Sequence, residues 1–324
     1  NAIALARRSA RGIPLADRIT WIQGITTELE LPERVDVAVG DLHGTLPFFK
    51  GNIESMFDAR KRHLKPDGRL IPVRDRLYAR PAESEREYAN VRHPWRENPY
   101  DLDLSEGAAL VANRWWRAAP TPVDETAFLA PAAHWGDIVY GETEHSRLAN
   151  TLQWELQRAG TLHGVYVWFD GDLGNGQGYS NTPLLPEMVY GRAFFPLEQA
   201  VVVAAGDRLT LDLSVRLLQG EHLYRWRTVV TASDGQRKAS FDQSTFKSRI
   251  AEPESLQRSR PDYAPVLGPD GEVARAVLDQ MGSGATLQQM ADQLAQAFPS
   301  RFPDPRDALE QVTRLTLKYG ADPR

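Results

Sequence analysis

The sequence predicts an α/β part followed by a β part and a small helical third part. Three observations carry this. Residues 1–72 alternate helix-forming and β-forming stretches, residues 73–247 carry period-two patterns, and residues 261–324 carry three short amphipathic segments after a polar linker at 248–260. Strand–helix alternation points to a sheet whose ligand lies at the C-terminal strand ends. Period-two runs point to antiparallel β, as a barrel or a sandwich.

Within the first part, residues 2–10 are good helix formers, stopped by Gly12-Ile-Pro. Ile19-Thr-Trp-Ile is short, β-branched and aromatic, and predicts a strand. Val35-Asp-Val-Ala-Val predicts a second strand, apolar enough to be buried on both faces of a parallel sheet. From Ile53 to Leu64, the placing of Met56, Phe57, Arg60 and Leu64 predicts a helix. Lys65-Pro-Asp-Gly is a turn leading to a strand at Arg69-Leu-Ile-Pro.

In the second part, His163-Gly-Val-Tyr-Val-Trp-Phe-Asp, the run from Leu209 to Leu217 and the run from Tyr224 to Thr231 alternate as strands do. Ala205-Gly-Asp and Gln219-Gly-Glu supply turns, and Gly171-Asp-Leu-Gly-Asn-Gly-Gln-Gly is a hairpin loop. Most of the tryptophans and tyrosines fall here and are expected to fill the core. In the third part, Val273, Ala276, Val277 and Met281 share a helix face, Thr286 and Gln289 form a capping box, and Asp304-Pro305 opens a third helix. Tyr263-Ala-Pro-Val-Leu is a short candidate strand before them.

Composition narrows the function classes. Zero cysteines exclude disulfides, thiolate catalysis and cysteine-bound zinc, which fits a reducing, cytoplasmic location. A net charge of −5 offers no broad basic field for nucleic acid. No apolar run reaches membrane-spanning length. His134, His145 and His163 have no mutual spacing that suggests a metal site.

The order Gly24, Leu31-Pro32, Asp41, Gly44, Ala59-Arg60 and Leu64-Lys65-Pro66 resembles the second half of an S-adenosylmethionine-dependent methyltransferase domain, and specifically that of the protein arginine methyltransferases. His163-Gly-Val-Tyr-Val-Trp-Phe-Asp and Phe194-Phe-Pro-Leu-Glu-Gln resemble strands of that family's β-barrel. The resemblance covers roughly the first 245 residues. It implies a Rossmann-like part at 1–72, a β-barrel at 73–247 and S-adenosylmethionine as cofactor. It also implies a cofactor contact at Gly24, Thr26, Thr27 and Asp41, and a glycine-rich cofactor half upstream of Asn1. Gly271-Glu-Val-Ala-Arg-Ala-Val-Leu-Asp-Gln-Met, Ala285-Thr-Leu-Gln-Gln-Met-Ala and Phe298-Pro-Ser-Arg-Phe resemble the PqqD-like winged-helix domain, which implies a leader peptide as partner.

The site positions depart from the family pattern. The first loop carboxylate is Asp41, the second position is Lys50 with Glu54 one helical turn later, and Met188-Val-Tyr stands where the family has Thr-His-Trp. Thr27 replaces the adenine-binding carboxylate. A guanidinium is a planar fork that needs two anionic partners, so a lysine there argues against arginine as acceptor. Asp41 is either a group that orients a donor near the methyl or a loop carboxylate that caps a helix or pairs with Arg60. His43 is either a general base or a solvated loop histidine. Glu54 is either a substrate ligand or, on the dipole argument, a helix-start carboxylate. Trp115-Trp116 with Arg114 and Arg117 is a candidate dimer contact, against core packing.

These readings combine into a cytoplasmic methyltransferase acting on a peptide or small-molecule acceptor, with Asp41, His43 and Glu54 as candidate catalytic residues. It is expected to bind neither nucleic acid nor membrane and to form a homodimer. The rival reading is a catalytically silent relative that binds a peptide through its third part.

Overall fold

The computed structural model describes residues 2–96, 100–250, 253–258 and 260–321. Two compact units form, Asn1–Ile250 and Ala251–Arg324. No helix among the described residues is long and apolar enough to cross a membrane.

The first unit begins with α1 (Ala2–Ala10), β1 (Val35–Val39) and α2 (Asn52–Asp58). After α2 comes one π-helical turn, Ala59–His63, which passes directly into β2 (Leu64–Ile71). β1 and β2 pair in parallel, as the alternation predicts. The register jumps from Val35 opposite Leu64 to Val37 opposite Arg69, so the predicted turn Lys65-Pro-Asp-Gly bulges out of the ladder.

Two expectations for this part are corrected. Ile19-Thr-Trp-Ile forms no strand: Ile19 has extended backbone (φ −99°, ψ 118°), yet no strand lies beside it, and extended residues become a strand only through a ladder. Nor is β1 buried on both faces. Val37 is 47% and Val39 70% exposed, so among the described residues the face carrying these two valines is uncovered.

The remaining elements of this unit are β3 (Arg74–Ala82), α3 (Glu85–Arg96), α4 (Ser105–Ala112), β4 (Trp116–Arg117), β5 (Ala133–Val139), β6 (Arg147–Glu155), β7 (Gly160–Gly174), β8 (Gln177–Ser180), β9 (Ala193–Val203), β10 (Arg208–Leu218), β11 (Glu221–Thr231) and β12 (Arg237–Ser244). One sheet runs β4-β9-β7-β3-β5 with β8 on β7, and the other runs β12-β11-β10-β6. Among the described residues no strand pairing joins these two sheets, so the expected barrel is not closed by a ladder and the sheets enclose a shared core. Trp135 of β5 donates to Leu213 O of β10 (3.0 Å), and Trp226 of β11 donates to Pro196 O of β9 (3.3 Å). Each indole thus crosses from one sheet to the other with its N–H satisfied. The glycine-rich stretch is a hairpin turn, with Asn175 and Gly176 at positive φ between β7 and β8. Gln219 and Gly220 close β10–β11 in the same way, at φ 51° and 81°.

Leu46, Phe48, Ile53, Met56, Leu64 and Leu70 from the α/β part belong to the same buried cluster as Trp135, Leu152, Phe195, Leu213 and Trp226. The loop after β1 is therefore anchored against the sheets rather than within a separate α/β core.

The second unit holds α5 (Pro253–Arg258), α6 (Pro269–Leu278), α7 (Leu287–Ala297) and α8 (Pro305–Tyr319). Val273, Val277, Met290, Leu294, Val312 and Leu315 close its core. Thr286 and Gln289 form the predicted reciprocal capping box, and Asp304 caps α8 through Arg306 N. Tyr263-Ala-Pro-Val-Leu forms no strand, and no strand occurs among the described residues of this unit. The winged-helix and PqqD-like expectation therefore lacks its sheet edge here. The proline at 265 removes a ladder donor in the middle of the run.

Candidate active site

The loop leaving the C-terminal end of β1 carries Asp41 and His43. The His43 side chain is 2% exposed and its ring stacks on Phe169 at 5.2 Å. Its Nε2 lies 2.8 Å from Oδ2 of Asp75, a carboxylate with no solvent exposure. Tyr140 donates its hydroxyl to the same Oδ2 at 2.6 Å, and Asn52 Nδ2 donates to the Tyr140 oxygen at 3.1 Å. Four elements thus meet at one buried carboxylate: the β1 loop, α2, β3 and the residue just after β5.

Asp75 reaches this position because β3 alternates. Asp75, Leu77 and Ala79 all point to the buried face, and only the first is polar. A buried carboxylate needs donors, and Tyr140 and His43 supply them. With Nε2–H donating to Asp75, the Nδ1 lone pair of His43 is left without a hydrogen-bond partner, 4.0 Å from Asp41 Oδ1. The other Asp75 oxygen, Oδ1, also has no partner.

Asp41 is exposed at the outer side of this cluster, where Tyr190 donates to its Oδ1 at 2.7 Å. Tyr190 stacks on Tyr179 at 5.5 Å. Burial, followed by the hydrogen bond to Asp41, pushes the Tyr190 phenol up to about 12. Burial and the charge of Asp75 raise Tyr140 well above the ordinary tyrosine value, and burial raises Tyr179 likewise. All three hydroxyls therefore stay protonated and act as donors near neutral pH.

Glu54 and Lys50 stand differently. Glu54 accepts from Ser146 N at 3.0 Å and from Ser146 Oγ at 2.9 Å, so both of its oxygens clamp α2 to the segment before β6. Lys50 has a left-handed backbone (φ 43°), and its ammonium lies 5.1 Å from the Phe49 ring centre. Asp41, Lys50 and Glu54 therefore each have a different partner, Tyr190, the Phe49 ring and Ser146.

Gly24, Thr26 and Thr27 lie on an exposed turn. Arg62 holds it from below by donating to Thr26 O (2.5 Å) and Leu29 O (2.8 Å). A Cβ on Gly24 would fall 2.6 Å from Leu29 Cδ2, so the Leu29 side chain packs directly over this glycine. The side chains of Ile25, Thr26 and Thr27 remain exposed.

Trp115 is packed inward against Phe195 and Tyr224, at 6.3 and 5.9 Å between rings. Trp116 donates to Val111 O at 3.2 Å with Arg114 over its ring, and Arg117 pairs with Glu187. His163 accepts from Ser84 N and pairs with Glu85, while His134 pairs with Asp137. Among the described residues no group of three His, Asp or Glu is arranged to hold a metal. Sequence reasoning missed Asp75, Tyr140, Asn52 and Tyr190. Only Asp75 carried a local signal, as a charge on the inward parity of a strand.

No protein-family model matches the chain. A curated relative, protein arginine N-methyltransferase 2 of Xenopus tropicalis, is 29% identical over 238 residues, covering 70% of this chain and 54% of that protein. Probable histone-arginine methyltransferase 1.3 of Arabidopsis thaliana is 28% identical over 216 residues, covering 63% of this chain and 40% of that protein. Among solved structures, the Trypanosoma brucei PRMT1 enzyme–prozyme heterotetrameric complex with AdoHcy matches with a TM-score of 0.65 at 19% identity, over 75% of this chain and 78% of that chain. Protein arginine methyltransferase 10 of Arabidopsis thaliana matches at 0.61 and 18%, over 75% and 79%. The relatives and structural neighbours are thus protein arginine methyltransferases, and the fold of the matched part is theirs. The chain spans about half the length of the curated relatives it matches.

Proposed function

We propose that this chain forms the acceptor side of an S-adenosylmethionine-dependent methyltransferase, with His43 as general base and an acceptor other than a guanidinium. One observation carries the reading. Both oxygens of Glu54 are taken up by Ser146 and Asp41 by Tyr190, while a buried Asp75–His43 pair lies beside Asp41.

The residues present fit one end of such a cofactor. The exposed hydroxyls of Thr26 and Thr27 and the apolar Ile25 offer hydrogen bonds and a face to a purine, on a turn fixed by Arg62. Bound S-adenosylmethionine supplies an electrophilic methyl group. The chain's own part is to orient an acceptor hydroxyl or amine and remove its proton. That proton passes to Nδ1 of His43, and Asp75 stabilises the resulting imidazolium through Nε2–H. Tyr190 fixes Asp41 beside Nδ1, where the carboxylate can accept a hydrogen bond from an amine or hydroxyl. A peptide or a small molecule can present such a group.

The test is calorimetric titration of the whole protein with S-adenosylhomocysteine, then transfer of labelled methyl to peptide and small-molecule acceptors. Micromolar binding with label on a hydroxyl or amine is expected. His43→Asn should lower transfer by about 100-fold with binding unchanged. Label on arginine, at a rate that His43→Asn does not alter, would overturn the assignment.

A further inference from the structure

A second concave region lies along β2. A cavity of about 590 Å³ opens there between the strand and the β7–β8 turn. This volume is within the usual range of ligand-binding sites. Arg34, Arg60, Lys65 and Arg69 line it and no described aspartate or glutamate does, although Lys65 already pairs at 2.7 Å with Asp36 on the neighbouring strand. In a chain of net charge −5 this is a local reversal of sign. Leu70, Val73 and Leu173 give the cavity an apolar floor.

Two details indicate what the cavity receives. Among the described residues β2 pairs only with β1, so its other edge presents backbone groups with no strand opposite. The cations also come from three segments, the residue before β1, the π-helical turn and β2. Arg34 donates to the Leu64 carbonyl at 2.8 Å and Arg60 to the Tyr140 carbonyl at 3.0 Å, while Lys65 opens the bulge of β2 and Arg69 begins its regular ladder. An inorganic anion would satisfy the guanidinium groups and leave the edge unpaired. An extended peptide with carboxylates on alternate residues satisfies both.

We infer that the outer edge of β2 binds an extended acidic peptide segment as an added strand, its carboxylates facing Arg34, Arg60, Lys65 and Arg69. This inference stands independently of the methyl-transfer reading, since it involves none of Asp41, His43 or Asp75.

The test uses the whole protein and fluorescein-labelled peptides of about nine residues, alternating Glu with Val or Thr. Polarisation should show saturable binding that weakens with salt and falls about tenfold or more in Arg69→Glu. Arg69→Lys should retain it. Arg69 is exposed, and unchanged tryptophan emission of the variants will confirm folding. Two further peptides carry N-methyl groups on one or the other set of alternate backbone nitrogens, and one set must abolish binding if a strand is added. Replacing Glu by Lys in the peptide must abolish it as well. No binding of the Glu peptide, equal binding to Arg69→Glu, or indifference to both N-methyl sets would overturn the inference. Displacement of the peptide by millimolar inorganic phosphate with both N-methyl sets tolerated would identify a simple anion site instead.

Discussion

Replacing Asp75 by alanine tests whether the buried carboxylate organises the site. Asp75 Oδ2 accepts from His43 Nε2 at 2.8 Å and from Tyr140 Oη at 2.6 Å, with no solvent exposure. A hydrogen bond to a charged group contributes about 1.5–3 kcal/mol, so losing two costs roughly 3–6 kcal/mol and leaves two buried donors without acceptors. Removing a buried charge whose Oδ1 has no partner returns part of this. The net expectation is a loss of about 2–4 kcal/mol. For a unit of this size that is a melting shift of roughly 5–15 °C. Asp75→Asn keeps an acceptor for both donors and places an amide where Oδ1 has no partner, so it should cost only about 1–2 kcal/mol. All eight tryptophans, from Trp21 to Trp226, lie in the first unit, so their fluorescence follows its unfolding in urea without a contribution from the second. A value for Asp75→Ala within about 0.5 kcal/mol of the parent would refute the reasoning. The His43 ring would then be held by its stack on Phe169 alone.

Two further outcomes follow from the same physics. Trp135→Phe removes the indole bond to Leu213 O while keeping an aromatic ring in the core. It should cost roughly 1–3 kcal/mol in the same urea assay, from the lost bond, the orphaned carbonyl and the reduced volume. Glu83 accepts from Arg158 Nη1 at 2.6 Å and Thr161 N at 2.9 Å, and the hydrogen bond to Arg158 holds its carboxyl below the ordinary glutamate value of 4.5. A lowered folded value favours the native state above the unfolded one, so this stabilisation is present above about pH 4.5 and disappears as pH falls through the lower folded value. Parallel melts of the parent and Glu83→Gln across that acidic range should converge as pH drops, and parallel curves would contradict the assignment.

The parts of the fold that were legible in the sequence are those set by local pattern. The strands containing Leu211 and Trp226 announce themselves by period two, the one containing His163 by a continuous β-branched and aromatic run, and α7 and α8 by their caps. The misplaced elements depend on partners. Ile19-Thr-Trp-Ile has strand composition and no neighbouring strand, and the predicted helix ending at Leu64 stops short because Leu64 pairs opposite Val35. The site divides in the same way. Asp41 and His43 were legible from their place after a strand. Asp75 and Tyr140 lie 32 and 97 residues from His43, and nothing local links them. Tyr190 sits in a stretch whose missing polar residues signalled only a loss, yet its hydroxyl reaches Asp41.

The shared core has a consequence for the order of folding. The β10–β11 hairpin closes through two residues, Gln219 and Gly220, and its contacts cost little chain entropy. Leu46, Phe48 and Leu70 must wait for partners such as Leu213 and Trp226, well over a hundred residues away in the chain. The loop bearing His43 therefore assembles late, on a surface the hairpin has already built. As the chain emerges from synthesis, a segment made before the hairpin finds its place after it.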